Sequence, residues 1–447
     1  MPESSIILIL FGSFMALLMI GAPVMVSLGV SALATIFYLD ENPIKLVQIA
    51  FTSVGSFPLM ALPSFILAGA LMEAAGISKR LVALAESCAG PVTGGIGAAT
   101  VLACMFFGAI SGSGPATTAA VGMLMIPAMT KHGYDKGYAS AITASSGGLG
   151  IIIPPSIPMV IFGISAIGMA VPESAIAAHG EFQTVSITKM FIAGFFPGIV
   201  FAISLLTLNY IRCKRLKYHG IEGGWDFAKI RTAARSGIWS ILAPLVILGG
   251  IYSGFFTPTE SAIVAIFYTL FVGVFIHKEL RWSDLFSSLE TTTWLSGRIL
   301  LILFTATVFG RLLVENNIPG MIADSLLALT TNIHLIWILI ITFLLFVGMF
   351  METLAAIMIL TPVLLPITYS LGIDPVHFGI VMVCSLSIGF STPPLGENLF
   401  VASGISNLPL EEVIVKALPF TFVSTIAVLI IAFIPEISLF LPRLFGY

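Results

Sequence analysis

The sequence predicts an all-α polytopic membrane protein made of two inverted repeats, each with a re-entrant hairpin and a broken transmembrane helix. Three observations carry this: an extreme apolar composition, the placement of the cationic residues, and an internal match at one fixed offset. Of 447 residues, 58% are hydrophobic and only 9% are charged, where a soluble chain would carry about a quarter charged residues. The mean hydropathy is +1.08. So few charges do not enclose so large an apolar core, so lipid is the outer solvent. The net charge of −3 matters less than where the charges lie. No basic tract points to nucleic acid. Cys88, Cys104, Cys213 and Cys384 are scattered without metal or pairing spacing and read as small apolar residues.

In chain order, apolar runs predict helices over 5–20, 23–39, 57–76, 137–168 (interrupted), 189–211, 237–254, 260–277, 298–314, 376–403 (interrupted) and 416–435. Regions 93–129 and 335–367 are apolar but broken in the middle, and the amphipathic stretches 79–88 and 282–294 suit the interface. Glu3 precedes the first run and no Lys or Arg occurs before Lys45. A cleavable signal needs a positive leading segment, so this run is expected to be a retained span. The loop Arg212 to Arg235 holds seven of the 19 Lys and Arg residues, which places it in the cytoplasm. Threading outward from it puts Lys79/Arg80, Lys131/Lys136, Lys278/Arg281 and Lys416 inside, with the acidic loop at Glu173 and Glu181 outside. This holds only if 93–129 enters and leaves on the cytoplasmic side, as a re-entrant hairpin does. The N-terminus is then expected outside.

The stretch "MIPAMTKHGYDKGYASAITASSGGLGIIIPP" lies against "LLPITYSLGIDPVHFGIVMVCSLSIGFSTPP" with a constant shift of 239. Pro127 meets Pro366, Gly133 meets Gly372, Asp135 meets Asp374, Gly150 meets Gly389, and Pro154-Pro155 meets Pro393-Pro394. Pro23 pairs with Pro258 at a shift of 235. The orientation argument starts the first repeat outside and the second inside, so they are inverted. Inverted repeats broken near the midplane are a signature of secondary transporters.

Within hydrocarbon, irregular backbone survives only where it is buried in protein or lines a cavity. "SGSGP", Ser111 to Pro115, is therefore read as a hairpin tip between half-helices at 93–110 and 115–129. Its freed carbonyls and the hydroxyls of Ser111 and Ser113 are hard oxygen ligands for a small cation, and the following helix N-terminus favours an anion. "SSGGLGIIIPPSIP" is the matching break: Pro154 and Pro155 lack N–H groups and leave nearby carbonyls unpaired. Gly150, Ile153 and Pro155 are expected to offer backbone oxygens to the same cation. In the second repeat the tip "GMFMETLAA" and the break "GFSTPPLGEN" nominate Thr353, Gly389, Thr392 and Pro394. Small residues in membrane helices also serve close packing; the coincidence of two tips and two Pro-Pro breaks at one offset favours binding.

Glu352 and Glu397 are acids at membrane depth, which must be paired, protonated or functional. Glu352 is expected to be a cation ligand or a brace, whereas Glu397 is as well explained by a structural role as by coupling. Arg311 is expected to snorkel or to pair with Glu315. No Lys or Arg occurs between Arg80 and Lys131 or between Arg311 and Lys416. An anionic substrate would then be held by helix ends, amides, hydroxyls and co-bound cations, which favours sodium coupling over capture by arginine.

"FGAISGSGPATTAAVGMLMIPAM", "GGLGIIIPPSIPMVIFG", "ILTPVLLP" and "TPPLGENLFVASGIS" resemble the large membrane subunit of TRAP (tripartite ATP-independent periplasmic) transporters, over nearly the whole chain. The resemblance implies an elevator-type ion-transporter fold in the bacterial inner membrane. It also implies a small four-helix membrane subunit, a soluble periplasmic substrate-binding protein, and sodium-driven import of organic acids without ATP. The family's sodium elements fall on Ser111 to Gly114 with Gly150 to Pro155, and on Glu352–Thr353 with Gly389 to Pro394. Glu352 stands where many relatives carry Asp, and Glu397 where an apolar residue is expected. Both flank the second cation site.

On this basis 93–168 and 335–403 form the transport elements. Residues 1–92, 169–334 (with linker 212–236) and 404–447 form the scaffold. Sodium at both tip-and-break sites completes an anion site between the hairpins, to which Gly114, Thr117, Ser156, Glu397 and Asn398 are assigned. A stand-alone sodium- or proton-coupled carrier of the same fold would need no partner proteins. A channel is disfavoured by the inverted repeats and the lack of a ring filter. An enzyme is disfavoured by the absence of a clustered nucleophile, base or metal set. The substrate class extends over dicarboxylates, sialic acids and sulfonates.

Overall fold

In the computed structural model of this chain, residues 3–447 are described except 56, 89–91, 168, 170, 219, 221–225, 331, 394 and 395. Among the described residues all regular elements are helices. Helices α1 (Glu3–Met19) and α2 (Val24–Tyr38) pack together across a turn with Gly21 at φ +82°. α3 (Ile44–Val54), α4 (Ala61–Ala74) and α5 (Ile77–Cys88) follow, with a 64° bend between the last two. α6 (Gly95–Ser111) and α7 (Gly114–Lys131) form the first hairpin. α8 (Lys136–Gly147), α9 (Leu149–Ile152) and α10 (Ile157–Ala166) form one broken helix, bent by 41° at the prolines. Then come α11 (Glu173–His179), α12 (Ile187–Leu216), α13 (Phe227–Tyr252) and α14 (Pro258–Phe271), the last continuing as a π-helical stretch Val272–Ile276. α15 (Trp282–Glu315) and α16 (Ile318–Leu329) precede the second hairpin, α17 (Ile333–Phe350) and α18 (Thr353–Ser370). α19 (Pro375–Gly389) and α20 (Glu397–Ser406) form the second broken helix, and α21 (Leu410–Phe433) and α22 (Glu436–Leu444) end the chain. Among the described residues, seven helices are long and apolar enough to cross a membrane, or up to nine if each bent pair counts as one span.

Three boundaries differ from those read off the sequence. The interfacial stretch 282–294 is continuous with the next span, as the 34-residue α15. At 1.5 Å per residue such a helix is about 51 Å long, well beyond the hydrocarbon thickness of about 30 Å, so its first turns lie outside the apolar layer. The cationic loop at 212–235 is shorter than charge suggested, because α12 runs to Leu216 and α13 starts at Phe227. Asp226 caps α13 by accepting from the Lys229 N–H at 3.0 Å. The segment 168–186 also contains a short helix, α11.

Packing divides the helices into two blocks. α4 lies on α14 and α15, α5 on α13, and α15 also touches α2 and α3. The second block holds both hairpins, both broken helices, α12, α21 and α22. Here α12 packs on α6, α9, α10, α19, α21 and α22, and α21 packs on α8, α17, α19 and α20. α12 and α21, which the sequence division grouped with the scaffold, pack mainly on the helices of the hairpins and breaks. The blocks meet where α15 and α16 lie on α18 and where α4 and α5 lie on α6. Burial reflects this order: the apolar window of Thr353–Ser370 is 89% buried, that of Phe227–Tyr252 only 28%. α18 is interior and α13 faces outward.

Residues paired at the 239 shift share local geometry. Gly133 and Gly372 are left-handed at φ +81° and +71°, a conformation glycine adopts without a Cβ clash. Asp135 caps α8 by accepting from the Tyr138 N–H at 2.8 Å, and Asp374 caps α19 by accepting from the Val376 N–H at 2.8 Å.

Candidate functional site

The first tip forms because its residues stop one helix and start another. Gly112, at φ +61°, caps the C-terminus of α6. Ser113 then caps α7, which has Pro115 in its first turn. The Thr117 hydroxyl donates to the Ser113 carbonyl at 2.7 Å. With that proton committed, the Ser111 hydroxyl is the donor to Thr117 Oγ1, at 2.9 Å. Thr117 therefore belongs to the oxygen cluster of the tip.

Glycine brings tip and break together. A Cβ on Gly108 would lie 2.7 Å from the Gly150 Cα, and one on Gly150 would lie 2.6 Å from the Ser113 carbonyl oxygen. One on Gly112 would lie 3.2 Å from the Pro155 carbonyl oxygen. Ser111, Ser113, Gly150 and Pro155 thus lie close together. Ile153 is near in sequence, but its side chain packs against Gly198 of α12.

The second tip repeats the pattern. α17 stops at Phe350 and α18 starts at Thr353, which is buried. Gly348 and Gly389 touch backbone to backbone, so a Cβ on Gly389 would collide with the Gly348 carbonyl. The Thr392 hydroxyl donates to the Ile388 carbonyl at 2.7 Å. Pro394 lies outside the described residues. Glu352 accepts a hydrogen bond from Arg298 Nη2 at 2.6 Å, in an ion pair between the hairpin tip and α15. Arg298 is the residue sequence reasoning missed. It lies 54 positions upstream, but a lone cation opening the apolar run "RILLILFTATVFG" demands a partner at depth.

Between the two tips the helix breaks meet. The Ala144 carbonyl accepts from Ser391 Oγ at 3.1 Å and from Asn398 Nδ2 at 3.0 Å. A Cβ on Gly114 would lie 3.3 Å from Asn398 Oδ1, so the start of α7 faces the start of α20. Asn398 Oδ1, Ser145 Oγ and Ser146 Oγ are buried without a hydrogen-bond partner among the described residues. Unmatched buried polar atoms are costly, and these suit a hydrated cation or an anion with hydroxyl groups. Two residues assigned to the anion stand apart. The Ser156 hydroxyl donates to the Ile151 carbonyl at 2.5 Å and caps α10. Glu397 is exposed at the start of α20 and within range of the charges of Glu352 and Arg298.

A cavity of about 750 Å³ also lies on the seam between the blocks, lined by α3 and α15 on one side and α10 and α18 on the other. At its polar wall Glu315 bridges Lys45 at 2.8 Å and Arg311 at 2.9 Å, the pairing expected for Arg311.

Helical spans, two hairpins and converging backbone oxygens define a polytopic membrane protein with an internal polar site, and no cluster of His, Cys, Asp or Glu fit for a metal occurs among the described residues. Residues 11–437 match the family model described as the tripartite ATP-independent periplasmic transporter, DctM component. The chain belongs to this family; it is a transporter permease of the bacterial inner membrane and not an enzyme. It is 42% identical to an isethionate TRAP transporter permease of Oleidesulfovibrio alaskensis, over 97% of this chain and 66% of that longer protein. It is 36% identical to a C4-dicarboxylate TRAP transporter large permease of Rhodobacter capsulatus, over 98% of this chain and 99% of the relative. A sialic acid TRAP transporter large permease of Vibrio cholerae is 34% identical over 98% and 99% of the two chains. The fold is shared with the crystal structure of the Alcanivorax borkumensis YdaH transporter, at TM-score 0.61 and 14% identity over 89% and 88% of the chains.

Proposed function

We propose that this chain is the translocating subunit of a sodium-coupled, binding-protein-dependent importer of a small organic acid anion. It would act with a small four-helix membrane subunit and a periplasmic substrate-binding protein. The observation that carries this is the paired approach of tip to break, Gly108 on Gly150 and Gly348 on Gly389. Each pair sets carbonyls and hydroxyls of a hairpin tip and a broken helix side by side in the interior. Sodium is a hard cation suited to such oxygens. Ser111, Ser113, Gly150, Ile153 and Pro155 would hold one ion; Glu352, Thr353, Gly389, Thr392 and Pro394 would hold another. The orphaned Asn398 Oδ1 and the Ser145 and Ser146 hydroxyls support an acceptor-rich interior.

The anion would sit where Gly114 and Asn398 face each other, with the N-terminus of α7 favouring negative charge. Glu397 at the entrance and Thr117 at the tip would border it; Ser156 would act through its cap on α10. The names of the relatives span sulfonate, dicarboxylate and sialic acid, which supports a small organic acid as substrate. In our proposal the two repeats are inverted, and the hairpin block, including α12 and α21, slides as an elevator against α1–α5 and α13–α16. The block would cross only when empty or fully loaded.

The test is uptake of a labelled acid, chosen by screening the cognate binding protein, into proteoliposomes with both membrane subunits. Sodium gradient and binding protein are each supplied or withheld, with wild type beside Ser113→Ala. Uptake that needs both, with weakened sodium dependence in the variant, supports the proposal. Uptake without the binding protein would instead identify a stand-alone carrier.

A further inference from the structure

Seven ion pairs occur among the described residues. Four of them stay within one block and across different elements or turns: Lys45 with Glu41 and Glu315, Arg80 with Glu279, and Lys416 with Asp135. Arg311–Glu315 and Arg443–Glu436 are local to one helix. Only Arg298–Glu352 ties α15 to the hairpin block, and it does so at the turn between α17 and α18. Glu352 is 18% exposed and Arg298 46% exposed, so the carboxylate is the more enclosed partner. Trp294, one turn earlier on α15, presents its ring 5.8 Å from the guanidinium carbon and helps to hold the arginine in place. Oε2 of Glu352 is taken by Arg298, and the same carboxylate heads the oxygen set beside Thr353.

We propose that Arg298 is an ion-displaced latch: it fastens the second hairpin tip to the scaffold helix α15 until a sodium ion at Glu352–Thr353 takes over the carboxylate. This rests on the sodium-coupled reading above. A guanidinium and a sodium ion draw on the same negative charge, so each weakens the other's hold, and the coupling is reciprocal. Without sodium, the pair fastens the tip to α15, and the empty block returns only when the pair opens. With sodium bound, the carboxylate turns to the ion, the tip is released, and the loaded block is free to move. Arg298 is therefore a positioning residue that links site occupancy to movement.

The test is sodium-dependent thermal stabilisation of the purified two-subunit complex, titrating NaCl against choline chloride at constant ionic strength. Wild type is compared with Arg298→Gln, Arg298→Lys and Glu352→Gln. Removal of the competing charge should lower the sodium midpoint of Arg298→Gln by about fivefold or more, the usual scale of coupling between sites. Arg298→Lys, which keeps the charge, should stay near wild type, and Arg298→Met, which removes it, provides the reading if the glutamine variant does not fold. Glu352→Gln should weaken the sodium response. An unchanged midpoint in Arg298→Gln, or equal shifts in the Gln and Lys variants, overturns the latch while leaving sodium coupling intact. No sodium response in wild type overturns the sodium reading and the latch with it.

Discussion

At the residue scale, four glycines decide whether the breaks reach the tips. Gly108 and Gly150 are in backbone contact, as are Gly348 and Gly389, and a Cβ at Gly108 would meet the Gly150 Cα at 2.7 Å. Backbone is what such a Cβ strikes, and backbone does not swing aside. Gly108→Ala and Gly389→Ala should each destabilise the protein by roughly 1–3 kcal/mol, the cost of overpacking a filled interior. A lowered thermal unfolding midpoint in detergent checks this; Gly249→Ala, where nothing lies within 4 Å, should leave it unchanged. Gly150 and Gly389 stood out in the sequence through the repeat. The meeting of Ser391 and Asn398 on the Ala144 carbonyl did not, because residues 247 and 254 positions apart meet only once both broken helices are folded.

At the element scale, the ends of helices are fastened by contacts far apart in sequence. Tyr218, just past α12, stacks on Tyr134 at 4.4 Å and its hydroxyl accepts from the Asp135 N–H at 3.0 Å. This ties α12 to the turn between α7 and α8. An aromatic pair is worth about 0.5–1.5 kcal/mol beyond its buried area. Tyr218→Ala should therefore loosen this end and speed trypsin cleavage at Lys214, Arg215 and Lys217, read as the rate of fragment appearance. A second tie, between the segment before α15 and α5, depends on pH. Arg80 donates to Glu279 at 2.8 Å and holds that carboxylate below its ordinary value of 4.5. A folded value below the unfolded one means the contribution is present above the ordinary value and is lost as pH falls from there through the lowered folded value. Wild type should lose more thermal stability than Glu279→Gln between pH 7 and pH 4, measured as the difference in unfolding midpoints.

At the scale of the whole molecule, the two hairpins and two breaks share one block with α12, α21 and α22, and α1–α5 and α13–α16 form the other. If the repeats are inverted, the hairpins open to opposite sides. A cysteine at Lys131, the end of α7, should react with an impermeant maleimide only from the cytoplasm. One at Thr330, before α17, should react only from the periplasm. Labelling of both from one side would refute the inversion. The cationic loop behind this expected orientation holds seven of 19 Lys and Arg, and much of it is helical.

Lipid residence, the hairpins and the two tip-and-break pairs were visible in composition, charge placement and a single offset. Solvent preference, loop charge and helix breaking are local properties, and a sequence displays them directly. Which block claims α12 and α21, and which cation answers Glu352, waited on the folded chain. Those outcomes depend on faces of helices meeting across long sequence separations, and no local pattern records which neighbour a face will find. Arg298 shows the difference: the sequence displays a cation that needs a partner at depth, and only the packing of α15 against the second hairpin supplies it.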